Sequence, residues 1–189
     1  MLRDSKFANL FFNEQYEIQH KLLNVIVISG IIGMILALIF QFVMHFNTTI
    51  NYIVAICLVL CIFVLLLANI FKHPQLAAII LSIGVNNFFM PVCFLFSGGI
   101  ESGMPLWIVL GIIFSSLVIT GKKAILIFII NITGFISVLI FSFIHPEFVH
   151  PMATMKDEII DIGSTVIIVS LIMCVVLMYN NNAHKKQKK

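Results

Sequence analysis

The sequence predicts an all-α, polytopic membrane protein, a bundle of six transmembrane helices with the N- and C-termini cytoplasmic. Two observations indicate this fold: six long apolar stretches alternate with short loops, and the lysines and arginines fall in alternate loops. A hydrocarbon layer of roughly 30 Å needs about 20 consecutive apolar residues in a helix. Helices also satisfy their own backbone hydrogen bonds inside lipid. The predicted spans are Leu22–Met44, Ile50–Phe71, Leu76–Ser97, Pro105–Thr120, Ala124–Ile144 and Ile159–Tyr179.

The basic residues set the predicted orientation, because lysine and arginine beside a span stay preferentially on the cytoplasmic side. With the N-terminus inside, every one of the 11 lysines and arginines except Lys156 lies on a cytoplasmic segment. The expected location is the cell membrane, with the lipid bilayer as the first partner. The expected organisation is a cytoplasmic amphipathic leader (residues 1–21), the transmembrane domain (22–179) and a basic cytoplasmic tail (180–189).

The third span carries two adjacent amides near its middle. Asn86 and Asn87 are followed by Pro91, which has no backbone N–H, so the Asn87 carbonyl loses its helical partner and the helix is expected to bend. The two amides are either interhelical ties, with Asn131 or Asn69 as partner, or contacts to a polar ligand beside the free carbonyl.

The loop after that span contains three glycines between Ser97 and Pro105, which permit a tight irregular turn. The fourth span has only about 16 residues, roughly 24 Å at 1.5 Å per residue. The loop is therefore expected to dip below the outer surface and line a shallow cavity, with Trp107 at its rim. The candidate ligand-binding residues are Asn86, Asn87, Pro91, Gly98, Gly99, Glu101 and Trp107.

The last outer loop supplies the candidate sensing residues His145, Glu147 and His150. Imidazole and carboxylate groups bind divalent cations or respond to pH, although an ordinary solvated loop has the same composition. Their spacing matches no metal motif, so neither a metal site nor a cofactor is expected. The spans hold no nucleophile with a base and no cluster of metal ligands, so no catalytic residue is assigned. The four cysteines, all within spans, are expected to be packing residues.

Two segments carry a family resemblance. The first is Phe96–Trp107, followed by Gly111, Phe114 and Gly121-Lys122, and the second is the proline-bearing loop His145–Pro151. Together with the six-span layout they resemble the membrane-embedded N-terminal sensor region of bacterial histidine kinases, diguanylate cyclases and some class III adenylate cyclases. The resemblance implies that the sixth helix feeds a signalling helix attached to a cytoplasmic kinase or cyclase output domain. No such catalytic segment lies within the 189 residues.

The leading hypothesis is a sensory input module that passes a signal through its sixth helix. The alternative is a transport component, such as the substrate-binding subunit of a vitamin transporter. The lack of a charge in the middle of any span weighs against it, because such charges mark ion and substrate pathways. Ser29 and Gly33, like Gly111 and Ser115, have the small-residue spacing that suits either a homodimer or ordinary packing. No nucleic-acid partner is expected.

Overall fold

The computed structural model describes residues 17–43, 48–152 and 154–187, and these residues are mostly helical, with no strand among them. The predicted all-α class is therefore confirmed for the described part of the chain. A π-turn, Val85–Phe89, joins the third and fourth helices, and short 3-10 turns cover Gly99–Glu101 and Pro146–Phe148. The helices are α1 (Ile18–Val43), α2 (Thr48–Asn69), α3 (Pro74–Gly84), α4 (Met90–Phe96), α5 (Met104–Val118), α6 (Lys122–Ile144) and α7 (Met155–Gln187).

Five helical stretches among the described residues are long and apolar enough to cross a membrane. One of them, Pro74–Phe96, comprises α3, the π-turn and α4 together. Helix α5 is equally apolar but has only 15 residues, about 22 Å at 1.5 Å per residue. The structure thus fits a multi-pass membrane protein. The other four stretches are Ile18–Leu36, Asn51–Asn69, Lys122–Ile144 and Met155–Met178.

The short helix α5 occupies the centre of the bundle, where it contacts α1, α3, α4, α6 and α7. Its buried residues face several directions and include Ile108, Leu110 and Phe114. Because protein rather than lipid surrounds much of α5, its length is set by its neighbours more than by the bilayer. Its apolar side chains join the two core clusters, one around α1, α2 and α3 and the other around Phe94 and Val138.

The first and last helices extend well beyond the predicted spans. Helix α1 begins at Ile18, within the predicted leader, and α7 begins at Met155 and continues to Gln187, within the predicted basic tail. Apolar composition marks the part of a helix that lies in lipid, whereas the helical backbone continues through polar residues as well. Residues 1–16 of the predicted leader lie outside the described part.

Proline lies in the first turn of two helices that follow loops. Pro74 and Pro105 lie in the first turns of α3 and α5. Proline suits this position because the first N–H groups of a helix have no intrahelical acceptor. The chain direction then places the loops Lys72-His73 and Gly121-Lys122 at one end of the bundle, called here the lysine end. The turn Gly98–Gly103 and the loop His145–Met152 lie at the other, the glycine end.

Candidate functional site

The helix that contains the two adjacent asparagines changes its hydrogen-bond pattern just before Pro91. The N–H of Met90 bonds to the carbonyl of Val85, five residues back, so Val85–Phe89 forms a π-turn. In an α-helix the proline ring would clash with the carbonyl of Asn87. The sequence predicted a bend at this place, and the structure shows a wider turn that accommodates the proline. Such single π-turns occur frequently at functional sites.

Asn86 ties the π-turn to α5. Its Nδ2 donates to Ser115 Oγ at 3.1 Å, and the Ser115 hydroxyl donates to the Gly111 carbonyl at 2.8 Å. Because the only hydroxyl proton of Ser115 is already used, its oxygen must accept from Asn86, and this fixes the orientation of the amide. The amide oxygen of Asn86 then faces Gly111, where a Cβ atom would overlap it.

The amide oxygen of Asn86 is fully enclosed and has no hydrogen-bond donor among the described residues. The glycine hydrogen that stands in the place of a Cβ points towards this oxygen, so Gly111 provides a weak C–H···O contact in its stead. The contacts of Asn86 therefore correspond to the interhelical tie, one of the two alternatives that the sequence left open.

Asn87 ties the same turn to α6 in a similar way. Its Nδ2 donates to Asn131 Oδ1 at 2.7 Å, and Asn131 Nδ2 donates in turn to Ser82 Oγ at 2.8 Å. The oxygen of Asn87 faces Gly134, which also has no room for a Cβ atom. Of the two partners that the sequence suggested, Asn131 is the one observed. Two neighbouring residues thus hold two different helices.

The other suggested partner, Asn69, belongs to a separate polar cluster at the lysine end. Asn24 and Asn69 exchange side-chain hydrogen bonds of 2.8 and 3.0 Å, and both residues are buried. His20 Nε2 lies 3.1 Å from Asn69 Oδ1 and donates to it, since that oxygen is an acceptor. This cluster joins α1 to α2. Sequence reasoning missed Asn24 and His20, although their spacing of one helical turn places them on one face.

The glycine turn is closed by its own polar groups. Gly98 and Gly99 have φ angles of 93° and 63°, which favour glycine. The hydroxyl of Ser102 donates to the Gly99 carbonyl at 2.7 Å and accepts from the N–H of Met104 at 3.2 Å, at the start of α5. The two glycines are buried, whereas Glu101 is exposed. The predicted site residues of this turn therefore differ in their access to solvent.

The loop before α7 covers the glycine turn. The N–H of His150 donates to the Leu95 carbonyl at 2.8 Å, and the His150 ring stacks on Phe96 with centroids 4.6 Å apart. Val149 lies against Gly99, and Met152 lies against Gly98. The loop is thus fastened to the end of α4. The His150 ring takes part in this contact, because it stacks on Phe96.

His145 and Glu147 form a separate, exposed pair. His145 Nδ1 lies 2.9 Å from a Glu147 carboxylate oxygen. Hydrogen bonds from the backbone N–H of Glu147 and from the His145 ring lower the pKa of the Glu147 carboxyl below its usual value. The three predicted sensing residues therefore occupy two places rather than one.

Trp107, the remaining candidate ligand-binding residue, is partly buried and packs against the larger core cluster.

Asp161, which the sequence did not indicate as a site residue, joins the start of α7 to the start of α5. Its carboxylate accepts a hydrogen bond of 2.8 Å from the N–H of Gly103, at the start of α5. A negative charge is favourable there because the helix dipole is positive at its N-terminus. Thr165, one turn further along α7, packs so closely on Gly103 that a Cβ atom would overlap it. The available signal was an acid in the second turn of an apolar helix, four residues before a threonine.

At the glycine end, the loop 149–152 is fastened to α4, and the glycine turn is fastened to α7 through Asp161. Within the described ranges, no three His, Cys, Asp or Glu residues come together to hold a metal ion. The arrangement can link a change at the loops to the position of the last helix.

Comparisons with protein-family models, with curated proteins and with solved structures found no match. The function proposed below therefore depends on the geometry of this chain.

Proposed function

We propose that the chain is a membrane-embedded sensory input module with six transmembrane spans and cytoplasmic termini. It receives a signal at the glycine end and passes it through α7 to a cytoplasmic histidine kinase or nucleotide cyclase output domain. The observation that carries this proposal is the form of α7. It is one uninterrupted helix, tied near its start to the glycine turn by Asp161 and extending to Gln187.

The length of α7 suits a connecting element. Its 33 residues span about 50 Å, compared with roughly 30 Å for the hydrocarbon layer. A helix of that length extends beyond the apolar stretch that ends at Met178. Because a helix is stiff, a displacement at Asp161 moves the far end as well. The stimulus acts by favouring one position of α7, which requires a different affinity for the two positions.

Helix α7 is also weakly embedded in the bundle. In the 18-residue apolar window of Met155–Met178 only 11% of the residues are buried, compared with 44% in that of Ile18–Leu36 in α1. Lipid solvates the exposed apolar side chains in either position of the helix. Among the described residues, the polar side-chain contact that joins α7 to another helix is the hydrogen bond between Asp161 and Gly103, which makes this bond the natural control point.

The proposed orientation places the lysine end in the cytoplasm. Lys72, Lys122 and Lys123 are exposed there, as expected for cytoplasmic loops. The glycine end, with Glu101 and Glu147 exposed, then faces the outside of the cell membrane. The loop 145–152 and the glycine turn beneath it are the first surfaces that an external stimulus meets.

A kinase fusion tests the proposal. A reporter histidine kinase is joined after Lys189, and Asp161→Ala is compared with Ser137→Ala. Ser137 is an exposed residue of α6 whose hydroxyl bonds within its own helix. Loss of a hydrogen bond to a charged group, about 1.5–3 kcal/mol, shifts the ratio of two helix positions by roughly tenfold or more. Kinase activity is expected to change in Asp161→Ala and to stay constant in Ser137→Ala.

A second variant, Gly103→Ala, tests the same contact independently of Asp161→Ala. Gly103→Ala forces the start of α5 away from Thr165, and the pair Gly103→Ala with Thr165→Gly removes all three Thr165 atoms that the added Cβ would overlap. The single variant is expected to alter kinase activity, and the pair to recover part of it. If Asp161→Ala and Gly103→Ala both leave activity unchanged in folded protein, α7 does not carry the signal through this contact.

A further inference from the structure

The lysine end carries exposed cations from two separate loops. Lys72 follows α2, and Lys122 and Lys123 lie in the first turn of α6. These residues are called here the three-lysine cluster. None of them forms an ion pair with an acid among the described residues, and neither α3 nor α6 has an acid in its first turn. Within the described part of the chain, no ion pair thus compensates the positive charge of the cluster.

Gln75 joins the two loops that supply these lysines. Its Nε2 donates to the carbonyl of the last residue of α5 at 3.3 Å, and its Oε1 accepts from the N–H of Thr120 at 3.3 Å. Lys72 lies three residues before Gln75, and the two lysines of α6 lie two and three residues after Thr120. Since three residues of chain span at most about 11 Å, this double contact keeps the three-lysine cluster at one place on the bundle.

Exposed apolar side chains border the cluster. Phe71 comes directly before Lys72, Leu76 follows Gln75, and Ile125 lies two residues after Lys123, and all three apolar side chains are exposed. Cations beside exposed apolar side chains match an anionic phospholipid, whose phosphate lies at the membrane surface above its acyl chains. A free phosphate ion would contact only the lysines. The combination of charge and apolar surface therefore favours a lipid.

We propose that the three-lysine cluster is a docking site for the headgroup of an anionic phospholipid, with Gln75 holding the two halves of the site together. The ammonium groups offset the charge of the lipid phosphate, and the apolar neighbours contact the acyl chains. A bound lipid then bridges the loop before α3 and the start of α6. The site lies at the opposite end of the bundle from Asp161 and the glycine turn, so it does not depend on the function proposed above.

Quenching of tryptophan fluorescence by brominated phospholipids measures which lipid contacts the site in bilayers. In a Trp107→Phe background, Leu76→Trp reports on the lysine end of the purified chain. Ile159→Trp, beside the exposed Lys156 at the glycine end, is the matched control reporter, because two acids follow that lysine. Brominated phosphatidylglycerol, which is anionic, is expected to bind at Leu76→Trp at least about fivefold more strongly than zwitterionic brominated phosphatidylcholine. The two lipids are expected to bind about equally at Ile159→Trp.

Neutral lysine variants test the role of charge. Replacement of all three lysines of the cluster by glutamine is expected to abolish the preference for phosphatidylglycerol at Leu76→Trp, and each single replacement to lower it by up to about fivefold. Lys156→Gln, the same change in the first turn of α7, is expected to leave it unchanged. An equal preference at the two reporters, or one that survives loss of the three lysines, overturns the proposal.

Two further variants separate lipid binding from folding. Gln75→Leu keeps every charge but removes the link between the loops, so the preference is expected to fall. Lys72 has a φ of 57°, which favours glycine, so Lys72→Gly is expected to raise the unfolding temperature while it lowers the preference. An unchanged preference in Gln75→Leu contradicts a joined site. Displacement of the lipid by inorganic phosphate assigns the cluster to a soluble anion and likewise contradicts the proposal.

Discussion

At the scale of the residue, three glycines are matched to polar side chains from other helices. Gly111 faces the amide of Asn86, and Gly134 faces the amide of Asn87. Gly103 faces Thr165 in the same manner. None of these glycines has a positive φ angle, so close approach rather than backbone freedom explains them. Small residues bring membrane helices close enough for side-chain hydrogen bonds to form between them.

A glycine substitution follows from this match. Gly111→Ala places a methyl group on the Asn86 oxygen and is expected to lower the free energy of unfolding by about 1–3 kcal/mol through overpacking. Gly163→Ala is the control, because nothing lies within 4 Å of its added Cβ atom, and alanine stabilises an exposed helix by up to about 1 kcal/mol. Unfolding in detergent, followed by circular dichroism, measures both variants. Equal stability of the two variants would show that the close contact between Gly111 and the Asn86 amide does not contribute to stability.

At the scale of the element, polar pairs decide how neighbouring helices are aligned. The Asn24–Asn69 pair joins α1 to α2, and Gln75 in α3 bonds to the Val118 carbonyl at the end of α5 and to the Thr120 N–H beyond it. Apolar packing alone tolerates sliding of one helix past another, because lipid is as apolar as leucine. Hydrogen bonds between defined atoms remove that freedom.

The Asn24–Asn69 pair is expected to behave as one unit. Asn24→Leu leaves the buried Asn69 amide with fewer partners and is expected to cost about 1–2 kcal/mol, near the upper end for such bonds in membranes. The double variant Asn24→Leu with Asn69→Leu removes both amides, so its cost is expected to be less than the sum of the single costs. Unfolding of the four proteins in detergent gives the coupling energy. Strict additivity would mean that the two amides do not depend on each other.

At the scale of the whole molecule, the short central helix decides the number of crossings. Helix α5 contacts helices on several sides, so a length below that of a full lipid-facing span does not prevent it from crossing. If it crosses, the glycine end and the lysine end lie on opposite sides of the membrane. If it does not, the two ends of α5 share one side and the six-span arrangement fails.

Accessibility of the two ends of α5 tests this point. Glu101→Cys and Lys122→Cys, both at exposed positions, are made in a background without native cysteines. A membrane-impermeant thiol reagent is expected to label the first in intact cells and the second only after permeabilisation. Lys72→Cys, in the other loop of the lysine end, is expected to behave like Lys122→Cys. Labelling of Glu101→Cys and Lys122→Cys from the same side would exclude a crossing by α5.

The sequence alone determined the features that depend on local composition. The apolar stretches located the helices, because burial in lipid depends on hydropathy along a single segment. The glycines between Ser97 and Pro105 indicated a tight turn, in which Gly98 and Gly99 have positive φ angles. Pro91 indicated a disturbed helix at the place where the π-turn lies. Each of these inferences needs only the residue and its immediate neighbours.

The tertiary structure decided which polar groups meet. Asn87 bonds to Asn131 and not to Asn69, although the sequence allowed either. Asp161 reaches Gly103 across 58 positions of the chain, and a local pattern can draw attention to the acid but cannot name its partner. The physical reason is that a polar partner inside a bundle depends on the rotation and relative height of whole helices. The packing of distant segments sets these two quantities, whereas the composition of any one segment does not.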